Sequence, residues 1–140
     1  MTVDVQTELK GWIGQKVKTD FFKTSNLSTF ELGVAVKTYA KQLCPVKSGR
    51  SRASVSLQMY DKESGFNEGD NKALPGDKIG KPSDKQEARV GSAVPYYPHH
   101  EYGTVRQDAQ SSLRTALGLV QGKAYEVYER HGRAALRELT

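Results

Sequence analysis

The sequence predicts an α+β fold: a small antiparallel sheet packed by a helix in the N-terminal half and a long C-terminal helix, with a long flexible loop between two strands. Three observations predict it. Apolar residues recur at helical spacing from Phe30 to Leu43 and again from Leu113 to Leu139. Val55, Leu57 and Met59 alternate with polar neighbours, as in a half-buried strand. The stretch Arg89 to Thr104, RVGSAVPYYPHHEYGT, runs from a short extended segment into two closely spaced prolines. A length of 140 residues suits one domain spanning 1–140.

Residues 1–27 are ambiguous. Val3, Leu9, Trp12, Ile13, Val17, Phe21 and Phe22 approximate helical spacing, but Gly11 and Gly14 interrupt it. The segment is a weak helix or an arm that orders only against a neighbour, and Trp12, Phe21 and Phe22 either cap the domain's own core or serve as the arm's contacts. Ser28 and Glu31 have capping-box spacing, so a helix is expected to begin there and to end at Pro45. Lys37 and Lys41 suit the negative end of its dipole. Ser48 and Gly49 mark a turn, and a strand follows over 54–60.

Residues 61–86 are rich in glycine, proline and charges of both signs, with few apolar residues. They are read as a loop that contacts a neighbouring protein and can be deleted over 64–84 without loss of the fold. Residues 87–93 return as a strand antiparallel to the first. Pro95 and Pro98 then exclude a helix and impose a corner, in which Tyr96, Tyr97, Glu101 and Tyr102 satisfy exposed backbone groups. Gly103 permits the change of direction, and Gly103→Val is expected to damage folding. Asp108 is the expected N-cap of one closing helix, whose apolar face stays in register across the helix-weakening Gly118 and Gly122. At about 1.5 Å per residue, its roughly 30 residues reach about 45 Å, so its end is expected to meet another molecule.

The formal charge of +5 is uneven, the first sixty residues holding nine Lys or Arg against four Asp or Glu. Such a balance permits contact with nucleic acid or an acidic protein face. A small DNA-binding regulator would need a second helix after a tight turn, where Pro45 leads into a turn and strand instead. Cys44 is the single cysteine, which excludes an intrachain disulfide and a cysteine metal cluster and reads as a small buried hydrophobe. No apolar run approaches the ~18 residues of a membrane span and no apolar signal core opens the chain. The expectation is a soluble protein made in a cytoplasm, with no membrane partner. His99, His100, Glu101 and His131 invite a metal or acid-base site, but adjacent histidines diverge and no i, i+4 pair is present. Ser48 and Ser92 have no nucleophile-elbow context. The reading is a structural protein, not an enzyme, with no cofactor and no metal.

Three pieces carry a family resemblance. The first is Pro45, Val46, Lys47, Ser48 and Gly49 followed by Arg52, Ala53, Ser54 and Val55. The second is Val90, Gly91 and Ser92, then Pro95 and Tyr96, then Glu101, Tyr102, Gly103 and Thr104. The third is Leu113, Arg114, Thr115, Ala116 and Leu117. Together they resemble the neck proteins of tailed bacteriophages, the tail-completion or head-to-tail joining group related to lambda's minor tail protein Z. The resemblance covers about residues 28–120.

It implies a subunit of a homo-oligomeric ring at the head-to-tail junction of the virion, of six copies with twelve as the alternative, surrounding the DNA channel. The implied partners are a head-closure or connector protein and a tail terminator or tail tube protein. Lys47, Arg50 and Arg52 would then face DNA, through sequence-independent phosphate contact, or an acidic partner. Trp12, Phe21 and Phe22 would become ring contacts. A tail-terminator ring capping the tube is the alternative within the same biology.

Overall fold

The computed structural model describes residues 14–44, 49–69, 71–106 and 108–139. Their order is α1 (Gly14–Leu43), α2 (Arg50–Ser54), β1 (Ser56–Met59), β2 (Glu63–Ser64), a 3₁₀ turn (Pro75–Asp77), β3 (Ala88–Gly91), α3 (Tyr97–Tyr102), α4 (Leu113–Gln121) and α5 (Ala124–Leu139). The α+β architecture matches the sequence expectation: an antiparallel sheet carries a long helix from the N-terminal half and the closing helices. The sheet order is β2-β1-β3, and β1 pairs β3 in the register Ser56↔Gly91 to Met59↔Ala88.

Four local expectations are corrected. Helix α1 begins at Gly14, not at Ser28, and runs unbroken through the expected boundary. Ser28 is buried within it, and its hydroxyl donates to the Thr24 carbonyl 2.9 Å away, so the apparent capping residue instead hydrogen-bonds back one turn. Arg50–Ser54, expected to lead directly into a strand, forms a short helix after the left-handed turn at Gly49 (φ 79°), and the strand starts at Ser56. The closing helix is divided into two, interrupted at Gly122 and Lys123. Asp108 lies outside them, and α4 begins at Leu113 with Ser112 before it. Pro45 lies outside the described residues.

The core is small because the sheet is short. Val55 and Cys44 pack with Ala40, Val94, Tyr97 and Ala116, and Val36, Val90 and Leu113 flank them. Helix α1 packs tightly on the sheet at Gly33, where a β-carbon would stand 2.6 Å from Leu57 Cδ1. β1 is buried on both faces, with Ser56 and Gln58 as inaccessible as Leu57 and Met59. The expected half-buried strand is therefore a central one, flanked by β2 and β3 and buried along its whole length.

That segment, 61–86, does lie between β1 and β3, but it is ordered by polar fasteners. β2 adds a third strand, pairing Leu57↔Ser64 and Gln58↔Glu63. Lys37 is buried and donates to Ser64 Oγ and Glu68 Oε2, each at 3.0 Å, while Lys41 reaches the Gly65 carbonyl at 2.5 Å. These lysines thus hold the loop across the fold and do more than sit at a helix end. The Asn67 side chain clasps Ala73 both ways, accepting its N–H at 3.0 Å and donating to its carbonyl at 3.1 Å. Composition hid this order because few apolar residues take part. The loop is tied into the fold by these contacts, so removing 64–84 is now expected to damage it, where the sequence alone suggested the fold would stay intact.

Deleting 64–84 is expected to abolish cooperative unfolding, read by urea titration with circular dichroism. Gly65 has φ +98°, and a β-carbon there would stand 2.3 Å from Lys37 Cδ and 3.3 Å from the Val55 carbonyl oxygen. Gly65→Ala is expected to cost about 1–3 kcal/mol in the same titration, from the strained backbone and the displaced lysine; an unchanged midpoint would contradict that.

Candidate functional site

The corner after β3 gathers all three motif segments. Val94 N–H donates to Ser92 Oγ at 3.1 Å, and Tyr97 N–H to the Val94 carbonyl at 3.0 Å, turning the chain out of the strand. The two prolines do not exclude a helix here. Pro98 occupies the first turn of α3, where its missing N–H has no intrahelical partner to lose, and Tyr97–Tyr102 is helical. Gly103 ends it at φ 79° and ψ 172°, a conformation open essentially to glycine alone, with its N–H bonded to the His99 carbonyl at 3.0 Å. Thr104 follows, its Oγ1 accepting the Arg106 N–H at 3.2 Å.

Helix α3 aims Glu101 at the start of α4. Its buried carboxylate accepts the N–H of Ser112 (3.1 Å), Leu113 (3.1 Å) and Arg114 (2.8 Å), satisfying three donors that open the helix. A negative group also suits that end of the helix dipole. Arg114 returns the contact, with Nε 3.2 Å from Glu101 Oε1 and Nη2 2.5 Å from the Glu101 carbonyl oxygen, and its guanidinium stacks over Tyr102 at 4.6 Å. Below it, the buried Tyr97 hydroxyl meets Ser112 Oγ at 2.5 Å. Burial pushes the Tyr97 hydroxyl and the Cys44 thiol well away from ionisation.

The first motif joins from the other side. Ser54 Oγ lies 2.5 Å from Ser92 Oγ, and the Arg50 guanidinium stacks over Tyr96 at 5.7 Å. Arg50 also grips the buried Asp77 through both carboxylate oxygens, at 2.7 and 2.8 Å. Of the basic residues expected to face DNA or an acidic partner, Arg50 is thus engaged in an internal pair, Arg52 is exposed, and Lys47 lies outside the described residues. Phe21 and Phe22 are exposed on α1, stacked edge to face with centroids 6.0 Å apart, and Trp12 is outside the described residues.

The histidines do not converge. His99 is exposed, His100 packs edge-on against Tyr96, and His131 lies on α5, with Nε2 2.6 Å from Glu31 Oε2 on α1. Arg130 joins Glu31 too, and it and His131 hold the Glu31 carboxyl below the usual range. Among the described residues no three His, Cys, Asp or Glu side chains are grouped to hold a metal ion, and no helix is long and apolar enough to cross a membrane.

A groove of about 490 Å³ opens between α1, β3, α4 and α5, lined mainly by apolar side chains including Leu32, Val36, Val90, Leu113 and Leu117. Sequence reasoning missed it, together with the pairing of Lys37 with the loop and the buried Asp77. Helical periodicity marks which residues face inward, but not whether two such faces close completely on each other. Compared with protein-family models, with curated proteins and with solved structures, the chain matches none.

Two predictions follow from the corner. Glu101→Ala removes the acceptor of three buried donors and is expected to cost roughly 2–3 kcal/mol, with Glu101→Gln losing less, by chemical denaturation. Arg50 holds the Asp77 carboxyl below the usual carboxylate range. The pair therefore contributes fully above about pH 4, the unfolded Asp value, and its contribution is lost as pH falls through the lower folded value. Asp77→Asn is expected to lower thermal stability at neutral pH and to flatten its decline below about pH 4; an unchanged acid limb would rule the pair out as its source.

Proposed function

We propose that this chain is a structural subunit of the neck of a tailed bacteriophage, forming the tail-completion ring that joins the head connector to the tail tube around the DNA channel. The observation that carries the reading is the convergence of the three resemblance-bearing segments. Ser54 of the first segment, the Ser92 to Thr104 stretch of the second, and Arg114 of the third lie far apart in sequence yet meet through Ser54–Ser92 and Glu101–Arg114, with the intervening Arg50 stacked over Tyr96. Residues whose combination suggests a family are thus the residues that set this chain's architecture, as expected for a scaffold subunit. The small α+β build, with its low apolar content of 36%, also suits a subunit whose burial neighbours complete.

The role assigned is positional, with no reaction, cofactor or metal. DNA in the channel would be met without sequence preference, through exposed basic side chains such as Arg52, since a conduit must pass every base. Electron microscopy of intact particles, with an antibody to this chain as the label, tests the reading. The expected result is a ring between the connector and the tail tube, whose symmetry gives the copy number. Label only at the end of free tails would instead make the chain a tail terminator, and particles lacking the chain would overturn the structural role.

A further inference from the structure

The packing of the chain changes at Val120. Helix α4 is held from within, for Ala116 and Val120 are buried and Glu101 closes its first turn. Beyond Val120 no described side chain is buried. Along α5, Ala124, Val127, His131 and Ala135 are only partly covered, while Tyr125 and Leu136 are exposed. A helix of 16 residues thus lies on α1 with no described residue in the apolar core. Its first turns are also incompletely packed, since Ala124 and Tyr128 line the groove against α1.

What joins α5 to α1 is a row of polar contacts at the surface. Lys123 Nζ donates to the Tyr39 hydroxyl at 3.3 Å and stacks over its ring at 5.5 Å. The Thr29 and Tyr128 hydroxyls meet at 2.7 Å. Glu31 takes two partners from α5, Arg130 and, at 2.6 Å, His131 Nε2. The side chains of Glu31, Arg130 and His131 are 43%, 61% and 27% exposed, so water competes for each, and exposed pairs of this kind contribute little apiece. Nor is α5 secure by itself. A helix of this length is marginal in water, and its Glu129–Arg133 pair adds only a small amount. The joint beside it is free to turn. Gly122 and Lys123 interrupt the helix, and nothing lies within 4 Å of where a β-carbon at Gly122 would stand.

We propose that α5 is a strap, fixed at Val120, hinged at Gly122 and Lys123, and clasped to α1 by Glu31, which opens as a unit while α1, the sheet and α4 stay folded. Elements with few buried contacts and exposed hydrogen bonds are the ones that open below the free energy of global unfolding. Opening carries Ala124 and Tyr128 away from Thr29, Leu32 and Val36, and so turns one wall of the groove into an uncovered face of α1. The clasp sets how often that face is in reach. The strap needs only one chain and stands independently of the ring reading.

Hydrogen exchange on the purified full-length chain at neutral pH, read amide by amide, tests it. Amides over 127–137 are expected to exchange together, roughly a hundredfold faster than those of β1, with a step in protection between Val120 and Val127. Glu31→Gln keeps the size of the side chain and removes its charge. It is expected to speed exchange across α5 about fivefold and to leave β1 and α4 unchanged. Three results overturn the proposal: α5 protected as strongly as β1, rates graded inward from Leu139 as in ordinary fraying of an end, or Glu31→Gln changing α5 and β1 alike.

A reversed pair checks that the clasp acts through its charge. Glu31→Arg alone is expected to open α5 further than Glu31→Gln does, and adding Arg130→Glu to return protection toward that of the unmodified chain. No return overturns Glu31 as the clasp. The exchange pattern of the unmodified chain decides the strap by itself, so a variant that fails to fold does not shield the proposal.

Discussion

The Glu101 carboxylate is the constraint on which the rest of this structure depends. A helix that starts in the interior leaves backbone N–H groups without partners, and each buried donor left so costs on the order of 1–3 kcal/mol. Helix α4 starts beside a core of Val94, Tyr97 and Ala116, and no residue immediately before it caps it with a side chain. Glu101 answers this from more than ten residues upstream, because α3 turns it toward that helix end. Fixing the start of α4 also fixes its direction. That places Leu113 and Val120 opposite α1 and β3, opens the groove between them, and lets α5 return along α1 to the Glu31–His131 contact.

The same economy governs the sheet. Three short strands with a small apolar core leave a polar face, Ser56 and Gln58, that water does not reach. The segment that follows β1 is poor in apolar residues and could not order through hydrophobic burial alone. Its order comes from two buried ionic groups paired across the fold and from an amide clasp within the segment itself. Lys37 is paired from α1, Asp77 is held by Arg50 from α2, and Asn67 grips Ala73. A buried polar group has value in such a place only when its partner is present, so these fasteners make the cover all-or-none.

This bears on function through the division of labour among residues. The aromatic and charged side chains of the corner, which in sequence resemble a site, are turned toward one another. Glu101, Arg114 and Tyr102 form one closed set, and Arg50, Asp77 and Tyr96 another. Exposed apolar surface lies elsewhere, at the phenylalanines of α1 among others and in the apolar groove. A scaffold with a locked centre and apolar contacts at its margins is suited to the proposed ring, in which subunits must keep their shape while neighbours complete their burial.

Much of the fold was legible in the residues. Alternation over Val55 to Met59 marked β1, periodicity over Phe30 to Leu43 and beyond Leu113 marked the helices, and both the α+β class and the β1–β3 pairing followed from their order. Gly49 and Gly103 were legible as turns, because a positive φ is a backbone property that glycine announces locally. Local chemistry misled where it had two uses. Ser28 with Glu31 has the spacing of a cap, but the serine bonds back within a continuing helix while the glutamate meets Arg130 and His131 on α5. Only the tertiary structure decided the start of α4, the order of the 61–86 segment and the groove. Each depends on partners distant in sequence: Glu101 with Ser112, Lys37 with Glu68, and α1 with Leu117. A pairing of that kind has no period and no local signature, since the free energy lies in meeting the partner and neither residue carries it alone.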